Sequence, residues 1–287
     1  MQSDGGYEIV QLRNGAHSVR SLAHGETMHV GMGPAAEAHA LYVEQADLTA
    51  RLHGHTGEFV VWDVGLGAAA NALAVVRAMQ GTGATLRMLS FDTTLEPLRL
   101  ALANAEKLGY FGGYERALLE LMEQGRTRIE GDGQQVNWEL IPGDFSLLLA
   151  EDGSAAWPKP HLILYDAWSP AKNPSMWTAQ VFAALFARLD SRRACVLPTY
   201  SRSTMLRVAL LLAGFHVGAG SATGAKEETT IAANARALIA SPLDARWLER
   251  ARCSPAAEPL WTAEYRQAPL RAETWEKLRR HPQFASG

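Results

Sequence analysis

Phe59-Val60-Val61-Trp62-Asp63-Val64-Gly65-Leu66-Gly67 is an apolar run that ends in an acid and two glycines. A short run rich in β-branched and aromatic residues predicts a buried strand over 59–64. Glycine at 65 and at 67 permits a sharp turn and lets the backbone approach a ligand closely. The Ala- and Leu-rich run over 68–79 then predicts a helix. The order of strand, glycine turn and helix is typical of the first half of a βαβ unit.

The same alternation continues through the middle of the chain. Further strands are predicted over 86–91, 135–141, 161–165, 194–197 and 229–233, and further helices over 94–108, 175–189 and 201–213. Strands that alternate with helices pair in parallel, and almost wholly apolar strands indicate a sheet covered on both faces. The sequence therefore predicts an α/β fold with a doubly wound, Rossmann-like sheet.

The two ends of the chain differ from this central part, which we place at 59–240. Residues 1–58 hold six of the nine histidines and are predicted to form an N-terminal lead-in that caps the ligand edge of the sheet. Residues 241–287 hold five of the 13 prolines and three of the eight tryptophans. This C-terminal extension is expected to wrap the domain, and the alternative is that it reaches a partner.

Composition excludes several classes of protein. The 287 residues are 47% hydrophobic and 20% charged, with a net charge of −3, which argues against disorder and against a dedicated basic nucleic-acid scaffold. We expect no membrane association, since no apolar run approaches the ~18 residues of a membrane span. The N-terminus shows no secretory signal, and two distant cysteines make no disulfide framework, so we expect a cytoplasmic protein.

The clustered histidines do not predict a metal site. Five of them lie between residues 24 and 55, but their spacing matches no helical or Cys/His ligand pattern. We therefore expect no metal ion.

Four aspartates lie at or just after the ends of the predicted strands, at the edge where such sheets bind ligands. Asp63 precedes the glycine turn, where a carboxylate would repel a pyrophosphate but could meet the ammonium group of S-adenosylmethionine. Asp92 ends the next strand and could accept bonds from both ribose hydroxyls, which also fits NAD. Asp144 could lie near an adenine amino group or could cap a helix over 145–149. Asp166 could accept or orient the proton of an attacking amine, or could be a turn residue.

The segment after Asp166 is the most unusual in the chain. It reads Ala167-Trp168-Ser169-Pro170-Ala171-Lys172-Asn173-Pro174-Ser175-Met176-Trp177, and its two prolines predict a rigid loop over the cofactor site. Trp168 could stack on a flat base or face the transferred methyl group, with core packing as the alternative. Four basic residues could contact phosphate groups: Arg13, Lys172, Arg202 and Lys226. The alternative is that they are scattered charges on a solvated surface.

The segment Asp166–Thr178 resembles the D-[AG]-F-[AS]-P-x-K-N-P-x-[ML]-W-[ST] signature of the methyltransferase domain of the MnmC family of tRNA-modifying enzymes. Three further elements resemble that family: Asp63-Val64-Gly65-Leu66-Gly67 with Asn71, like E-x-G-F-G-T-G-L-N; Glu26–Ala38, like its H-S-x-x-G-x-x-x-E-[AS] element; and Tyr200, Arg207 and Gly224-Ala225-Lys226-Glu227-Glu228, like its G-x-K-[RE]-E turn. The resemblance runs from about residue 25 to about residue 234.

This resemblance implies a seven-stranded S-adenosylmethionine-dependent methyltransferase that acts on the aminomethyl group of a modified wobble uridine in tRNA. Asp166 would then be the catalytic residue. By the same resemblance, the cofactor would be held by Asp63, Gly65, Gly67, Asn71, Asp92, Asp144 and Asp166, and the substrate by Glu37, Trp168, Lys172, Tyr200 and Lys226.

The chain departs from the family pattern at three positions. Ala68 and Ala69 stand where the family has threonine and glycine, and Trp168 stands where it has phenylalanine. From the length of the sequence we expect no FAD oxidase domain, and therefore a stand-alone form of the methyltransferase. Alternative acceptors are a small-molecule amine or a protein amine, and a further alternative is a non-catalytic relative that binds the cofactor.

Overall fold

A computed structural model of the protein describes residues 6–53, 55–131, 133–223 and 227–284. The strands are β1 (Tyr7–Gln11), β2 (His17–Ser21), β3 (Glu26–Thr27), β4 (Glu58–Val64), β5 (Thr85–Asp92), β6 (Arg126–Gly131), β7 (Gln134–Pro142), β8 (Leu162–Tyr165), β9 (Val196–Thr199), β10 (His216–Gly220) and β11 (Thr229–Ala233). The α-helices are α1 (Pro34–Ala38), α2 (Leu48–His53), α3 (Ala70–Ala78), α4 (Glu96–Ala103), α5 (Ala105–Leu108), α6 (Glu115–Gln124), α7 (Phe145–Ala150), α8 (Ala179–Ala187), α9 (Thr204–Ala213), α10 (Ala245–Cys253) and α11 (Ala272–Leu278).

The main sheet has the order β10-β11-β9-β8-β4-β5-β7-β6. The central strands β9, β8, β4, β5 and β7 are parallel, whereas β11, β10 and β6 pair in antiparallel fashion. The predicted doubly wound α/β fold is confirmed. Chain order reverses beside β4, because β5 lies on one side of it and β8 on the other, and this is where a crevice opens in such sheets.

The sheet separates two apolar cores. Alternate residues of β4 point to opposite faces, so Phe59 and Val61 pack in one core while Val60, Trp62 and Val64 pack in the other. Both faces are therefore covered, as the apolar strand sequences predict.

The sheet has eight strands among the described residues, where the resemblance implied seven. The additional strand β6 forms a hairpin with β7 at the edge of the sheet. Its sequence, Arg-Thr-Arg-Ile-Glu-Gly, is mostly charged and largely solvent-accessible, which is typical of an edge strand and gives little apolar signal. The residue pattern also missed β10, a five-residue edge strand with two glycines.

Two predicted helices are interrupted. The run over 94–108 divides at Asn104, whose side chain donates to the backbone oxygen of Leu100 and separates α4 from α5. The run over 175–189 starts as a 3₁₀ turn at Pro174–Trp177, and α8 begins only after Thr178, whose hydroxyl caps it by accepting from the Val181 amide.

The segment before β4 contains more secondary structure than its sequence suggested. β1, β2 and β3 form a separate antiparallel sheet, and α1 continues through a π-helical turn at His39–Glu44. These strands have two to five residues, so no alternation is long enough to be recognised.

The segment after residue 240 packs against the main domain. Trp247, Leu248 and Leu278 belong to the same apolar core as α8 and α9. Gln283 donates to the backbone oxygen of Val217 and accepts from its amide, at 2.7 and 2.8 Å. These contacts fit an extension that wraps the domain. No helix among the described residues is long and apolar enough to cross a membrane.

Candidate functional site

A cleft of about 760 Å³ opens at the carboxyl ends of β4, β5, β7 and β8. Seven of the residues predicted to hold a ligand line this cleft: Gly65, Gly67, Asn71, Asp92, Asp144, Asp166 and Trp168. Asp63 is not among the lining residues. Six further lining residues come from the N-terminal segment: Gly6, Tyr7, Ala23, His24, Met28 and His29. The cleft therefore lies between the sheet edge and the small N-terminal sheet.

The turn after β4 requires glycine at its first position. Gly65 has φ +95°, and a Cβ built on it would lie 2.9 Å from the backbone oxygen of Asp166. Contacts this short do not occur between a Cβ and a backbone oxygen, so only glycine lets the two loops approach. Ala69 also has a left-handed conformation, with φ +64°. This is the position where the resembling family has glycine.

Asp92 connects β5 to the glycine turn. Its Oδ2 accepts from the Gly67 amide at 2.9 Å and its Oδ1 from the Thr94 amide at 3.2 Å. Burial raises the pKa of the Asp92 carboxyl, and these backbone hydrogen bonds oppose that shift. The side chain both shapes the turn and contributes an acidic group to the cleft wall.

Asp166 lies directly after β8 and faces the same turn. Its Oδ2 accepts a hydrogen bond of 2.6 Å from Nδ2 of Asn71, which lies in the first turn of α3. Its backbone amide donates to the Val64 oxygen, which fixes the start of the loop. One carboxylate oxygen is therefore held by Asn71, and the carboxylate lies at the cleft wall.

Asp63 differs from the other three aspartates because it lies below the cleft wall. Its side chain is fully buried, and Oδ2 accepts from the Ser90 hydroxyl, which in turn accepts from the Trp138 indole nitrogen. Asp63 Oδ1 and Asn71 Oδ1 are buried and have no hydrogen-bond partner among the described residues. Direct contact between Asp63 and a cofactor stays a prediction.

Asp144 caps a helix, and its predicted proximity to an adenine amino group stays a prediction. Oδ1 accepts from the amide and hydroxyl of Ser146, at 2.8 and 2.6 Å, and so caps α7. The residue also lines the cleft, next to Phe145. The capping bonds fix the orientation of the side chain. They engage only Oδ1 of the carboxylate.

The loop after Asp166 is clamped by the N-terminal segment. The ring of His24 stacks on Trp168 with centroids 4.9 Å apart and planes 13° from parallel. Glu26 accepts from the amide of Ser169 at 3.2 Å and also from its hydroxyl. No local pattern joins residues 140 positions apart, so the sequence did not reveal His24 or Glu26 as contacts of this loop.

Among the described residues, three of those predicted to bind the substrate do not line the cleft. Glu37 is buried and accepts from the Gly31 amide at 3.3 Å. The Tyr200 hydroxyl donates to the backbone oxygen of Ala167 at 3.0 Å, which supports the loop from behind. Lys172 is exposed, and Lys226 lies outside the described residues.

Tyr42 is a residue of this region that sequence reasoning missed. It is fully buried, and burial raises the pKa of its hydroxyl, with the charges of Asp166 and Asp63 adding to the shift. Its position in an apolar helical run gives no sign of this proximity. In the described part of the chain, no group of three or more His, Cys, Asp or Glu side chains is placed to hold a metal ion.

Comparison with known proteins agrees with this geometry. Residues 114–235 match the model of a family of S-adenosyl-L-methionine-dependent methyltransferases. The chain is an S-adenosyl-L-methionine-dependent methyltransferase. The methyltransferase shares 33% identity over 210 residues with the tRNA 5-methylaminomethyl-2-thiouridine biosynthesis bifunctional protein MnmC of Aeromonas hydrophila, covering 67% of this chain and 30% of the relative. It shares 28% identity over 252 residues with the protein of the same name from Ralstonia nicotianae, covering 84% and 35%.

A solved structure shows the same fold. The crystal structure of MnmC2 from Aquifex aeolicus superposes with a TM-score of 0.71 at 20% identity, covering 96% of the methyltransferase and 84% of that chain. The methyltransferase spans about a third of the length of the bifunctional relatives that it matches. The predicted relationship to the MnmC methyltransferase domain is confirmed.

The cleft fits its cofactor. Two buried acceptor atoms, Asp63 Oδ1 and Asn71 Oδ1, lack partners beside the glycine turn, and a donor such as an ammonium group would satisfy them. Gly65 and Gly67 line the cleft and carry no side chain, so a ligand can approach the backbone of the turn.

Asp92→Ala is expected to weaken S-adenosylmethionine binding by about 10- to 150-fold, the effect of losing hydrogen bonds to a charged group. Asp92→Asn keeps an oxygen for the Gly67 amide and should lose less. Calorimetry with each variant measures the difference. Equal binding by Asp92→Ala and the unsubstituted protein would contradict a role for Asp92 in the cleft.

The buried Asp63 carboxyl predicts that stability depends on pH. Burial raises its pKa from 3.8 to about 7, against the hydrogen bond from Ser90 and with smaller contributions from Asp166 and Asp92. Since the folded pKa is the higher one, the folded state is increasingly penalised as the pH rises from about 4 to about 7, and the full penalty remains above pH 7.

Asp63→Asn cannot ionise. The substitution should therefore raise the free energy of unfolding more at pH 8 than at pH 4, and the two increases should differ by on the order of 4 kcal/mol. Denaturant unfolding at both pH values checks this, with the exposed Asp152→Asn as control. The same difference at both pH values would show that Asp63 does not titrate in this range.

Proposed function

We propose that the methyltransferase transfers a methyl group to an amine, the aminomethyl group of a modified wobble uridine in tRNA. One observation supports an amine acceptor above the others. The Asp166 carboxylate lies at the cleft wall with one oxygen held by Asn71, beside the glycine turn. The names of the MnmC relatives support tRNA as the carrier of that amine.

The residues of the cleft have distinct roles in this proposal. Gly65 and Gly67 would admit the cofactor, Asp92 would bind its ribose, and Asp144 would bind near its adenine. Asp63 and Asn71 offer their unpartnered oxygens to its ammonium group. When bound, S-adenosylmethionine supplies a methyl group on a positively charged sulfur, which a neutral amine can attack.

In this proposal Asp166 accepts a proton from the acceptor amine. An ammonium group has no lone pair, so it must lose a proton before it can form a bond to carbon. Oδ1 of Asp166 is the oxygen not engaged by Asn71, and it accepts that proton. Trp168, fixed by His24 on one face, presents an aromatic surface at the mouth of the cleft, where a planar base could stack. The proposal also places the protein in the cytoplasm, with its tRNA substrate.

Transfer of a radioactive methyl group tests the proposal. The purified protein is incubated with labelled S-adenosylmethionine and with tRNA whose wobble uridine carries an unmethylated aminomethyl group. We expect label in that nucleoside after digestion, and none with tRNA that lacks the aminomethyl group. Label in a small-molecule amine or a protein, but not in tRNA, would overturn the acceptor while leaving the enzyme class intact.

A further inference from the structure

The loop after β8 carries both the proposed proton acceptor, Asp166, and the aromatic ring at the mouth of the cleft, Trp168. The main domain holds the backbone of this loop. The Asp166 amide donates to the Val64 oxygen at 3.0 Å, and the Trp168 oxygen accepts from the Trp177 indole at 2.8 Å. Neither bond engages the ring of Trp168 or the amide of Ser169. The N-terminal segment holds these two groups instead.

Glu26 of β3 accepts two hydrogen bonds from Ser169. One comes from the backbone amide, at 3.2 Å, and the other comes from the side-chain hydroxyl. Hydrogen bonds to an ionised acceptor are stronger than those between neutral groups, and two of them restrain both the position and the direction of the chain at Ser169. Glu26 is not one of the described residues that line the cleft, so this contact is separate from the cofactor site.

His24 holds the ring of Trp168. The two rings are within 13° of parallel, with centroids 4.9 Å apart. The imidazole is fixed in turn, because its Nδ1 lies 3.0 Å from the Ser21 hydroxyl, which also accepts from the His24 amide at 3.2 Å. Among the described residues no second ring stacks on Trp168, and the indole lines the cleft. One face of the indole is therefore backed by protein while the ring borders the cleft.

The small sheet that carries these two residues is itself anchored. Val19 of β2 is buried in the apolar core on one face of the main sheet. Tyr7 and Ile9 of β1 pack against the same core. Contacts made from an anchored sheet restrain the loop, whereas contacts from a mobile flap would only cover it.

The ring and the carboxylate of this loop must keep a fixed separation if a stacked base is to react. Trp168 follows Asp166 by two residues, so a turn of the ring or of the backbone between them changes where the amine of the base lies. Attack requires the amine nitrogen and the transferred carbon to approach to about 3–3.5 Å in line, and a displacement of about 1 Å can cost roughly 100-fold in rate. A ring that is free to turn would still bind the base, but in many orientations.

We propose that His24 and Glu26 are positioning residues for methyl transfer, which hold Trp168 at the angle at which a stacked base directs its amine to Asp166. The inference rests on the proposed function and adds to it two residues outside the loop. They act on the acceptor through Trp168 and Ser169. Loss of either contact therefore lowers kcat more than it weakens the binding of tRNA.

The first test is Glu26→Ala, measured on the full chain with tRNA whose wobble uridine carries an unmethylated aminomethyl group. The substitution removes both acceptors of Ser169, and we expect kcat to fall about 10- to 100-fold. The KM for tRNA should rise only a few-fold, and the affinity for S-adenosylmethionine should not change. Glu26→Gln keeps one acceptor oxygen and should recover part of the lost kcat.

Double-mutant cycles show whether each residue acts through the loop. Ser169→Ala removes the hydroxyl partner, so it should lower kcat little further when combined with Glu26→Ala. In the same way, His24→Ala should lower kcat in the unsubstituted protein but change it little when combined with Trp168→Ala. Losses that multiply in either cycle would show that the residue does not act through its loop partner and would overturn its positioning role.

Glu8→Ala is the matched control. Glu8 lies in β1 of the same small sheet, is exposed, and has its carboxylate 3.9 Å from Arg20. The substitution removes the same charge as Glu26→Ala and should keep the kcat and KM of the unsubstituted protein. Equal losses of kcat in the two variants would show a general effect of charge or of sheet stability and would contradict the proposal.

The other outcomes separate this inference from the proposed function. If the unsubstituted protein methylates tRNA, and both Glu26→Ala and His24→Ala keep its kcat, the inference is wrong and the proposed function stands. If the unsubstituted protein does not methylate tRNA, both are wrong. Thermal unfolding shows whether each variant is folded, and the nearly isosteric Glu26→Gln decides the result if Glu26→Ala is not.

Discussion

Asp166→Asn is expected to lower kcat for methyl transfer by about 10²- to 10⁴-fold, the usual contribution of a positioned proton acceptor. Asparagine has nearly the same shape and keeps an oxygen for the Asn71 amide, whose bond to Asp166 measures 2.6 Å. The side chain can no longer take a proton from the acceptor amine. Binding of S-adenosylmethionine should change by only a few-fold, because the glycine turn and Asp92 remain in place. Single-turnover methylation and calorimetry measure the two effects separately.

The pH dependence of the variant distinguishes proton acceptance from a purely structural role. Raising the pH removes the proton of the acceptor amine without help from the protein, so the rate of Asp166→Asn should keep rising with pH after the unsubstituted enzyme has levelled off. Asp152→Asn, an exposed carboxylate in a 3₁₀ turn, serves as the control and should match the unsubstituted enzyme. Loss of cofactor binding together with activity would show instead that Asp166 holds the cleft together.

The central sheet and the glycine turn could be predicted because their signals are local. Apolar strands of four to nine residues define the parallel sheet, and an acid or a glycine at or just after the ends of β4, β5, β7 and β8 marks the edge at which its ligands bind. Asp92, Asp144 and Asp166 reach one cleft for this reason alone. The same reasoning left NAD open as an alternative cofactor, because Asp92 would also fit its ribose, and the resemblance to the MnmC family indicated S-adenosylmethionine.

Contacts between distant segments had no such signal. The stacking of His24 on Trp168 joins the N-terminal segment to a loop about 140 residues later, and nothing in the local sequence of either residue indicates the other as its partner. The bond from Ser169 to Glu26 is of the same kind. Pairings of this type follow from how the small N-terminal sheet docks, which composition does not encode.

Asp63 illustrates how strand alternation limits a motif. Its position two residues before Gly65 suggested a cleft residue, but it shares a strand face with Phe59 and Val61 and lies opposite Ser90 of β5. Its side chain is therefore buried, and Val64 and Gly65 line the cleft in its place, so a direct contact between Asp63 and the cofactor stays a prediction. A motif gives the position of a residue in the chain, and the register of the strand decides which side the residue faces.

Gly65→Ala is expected to reduce S-adenosylmethionine binding by more than about 100-fold and to destabilise the fold. The residue has φ +95°, and the new Cβ would lie 2.9 Å from the Asp166 backbone oxygen and 3.2 Å from its carbonyl carbon. A left-handed conformation alone costs an L-residue about 1–2 kcal/mol. The contact must in addition push the turn away from the loop that carries Asp166, which displaces both walls of the cleft.

Gly113→Ala separates these two effects. Gly113 has nearly the same backbone angle, φ +91°, but a Cβ there would meet nothing within 4 Å. Its substitution should lower the free energy of unfolding by about 1–2 kcal/mol and leave cofactor binding unchanged. Denaturant unfolding and calorimetry of both variants give the comparison. If Gly65→Ala bound the cofactor as tightly as Gly113→Ala does, the close approach of the turn to Asp166 would not be what shapes the cleft.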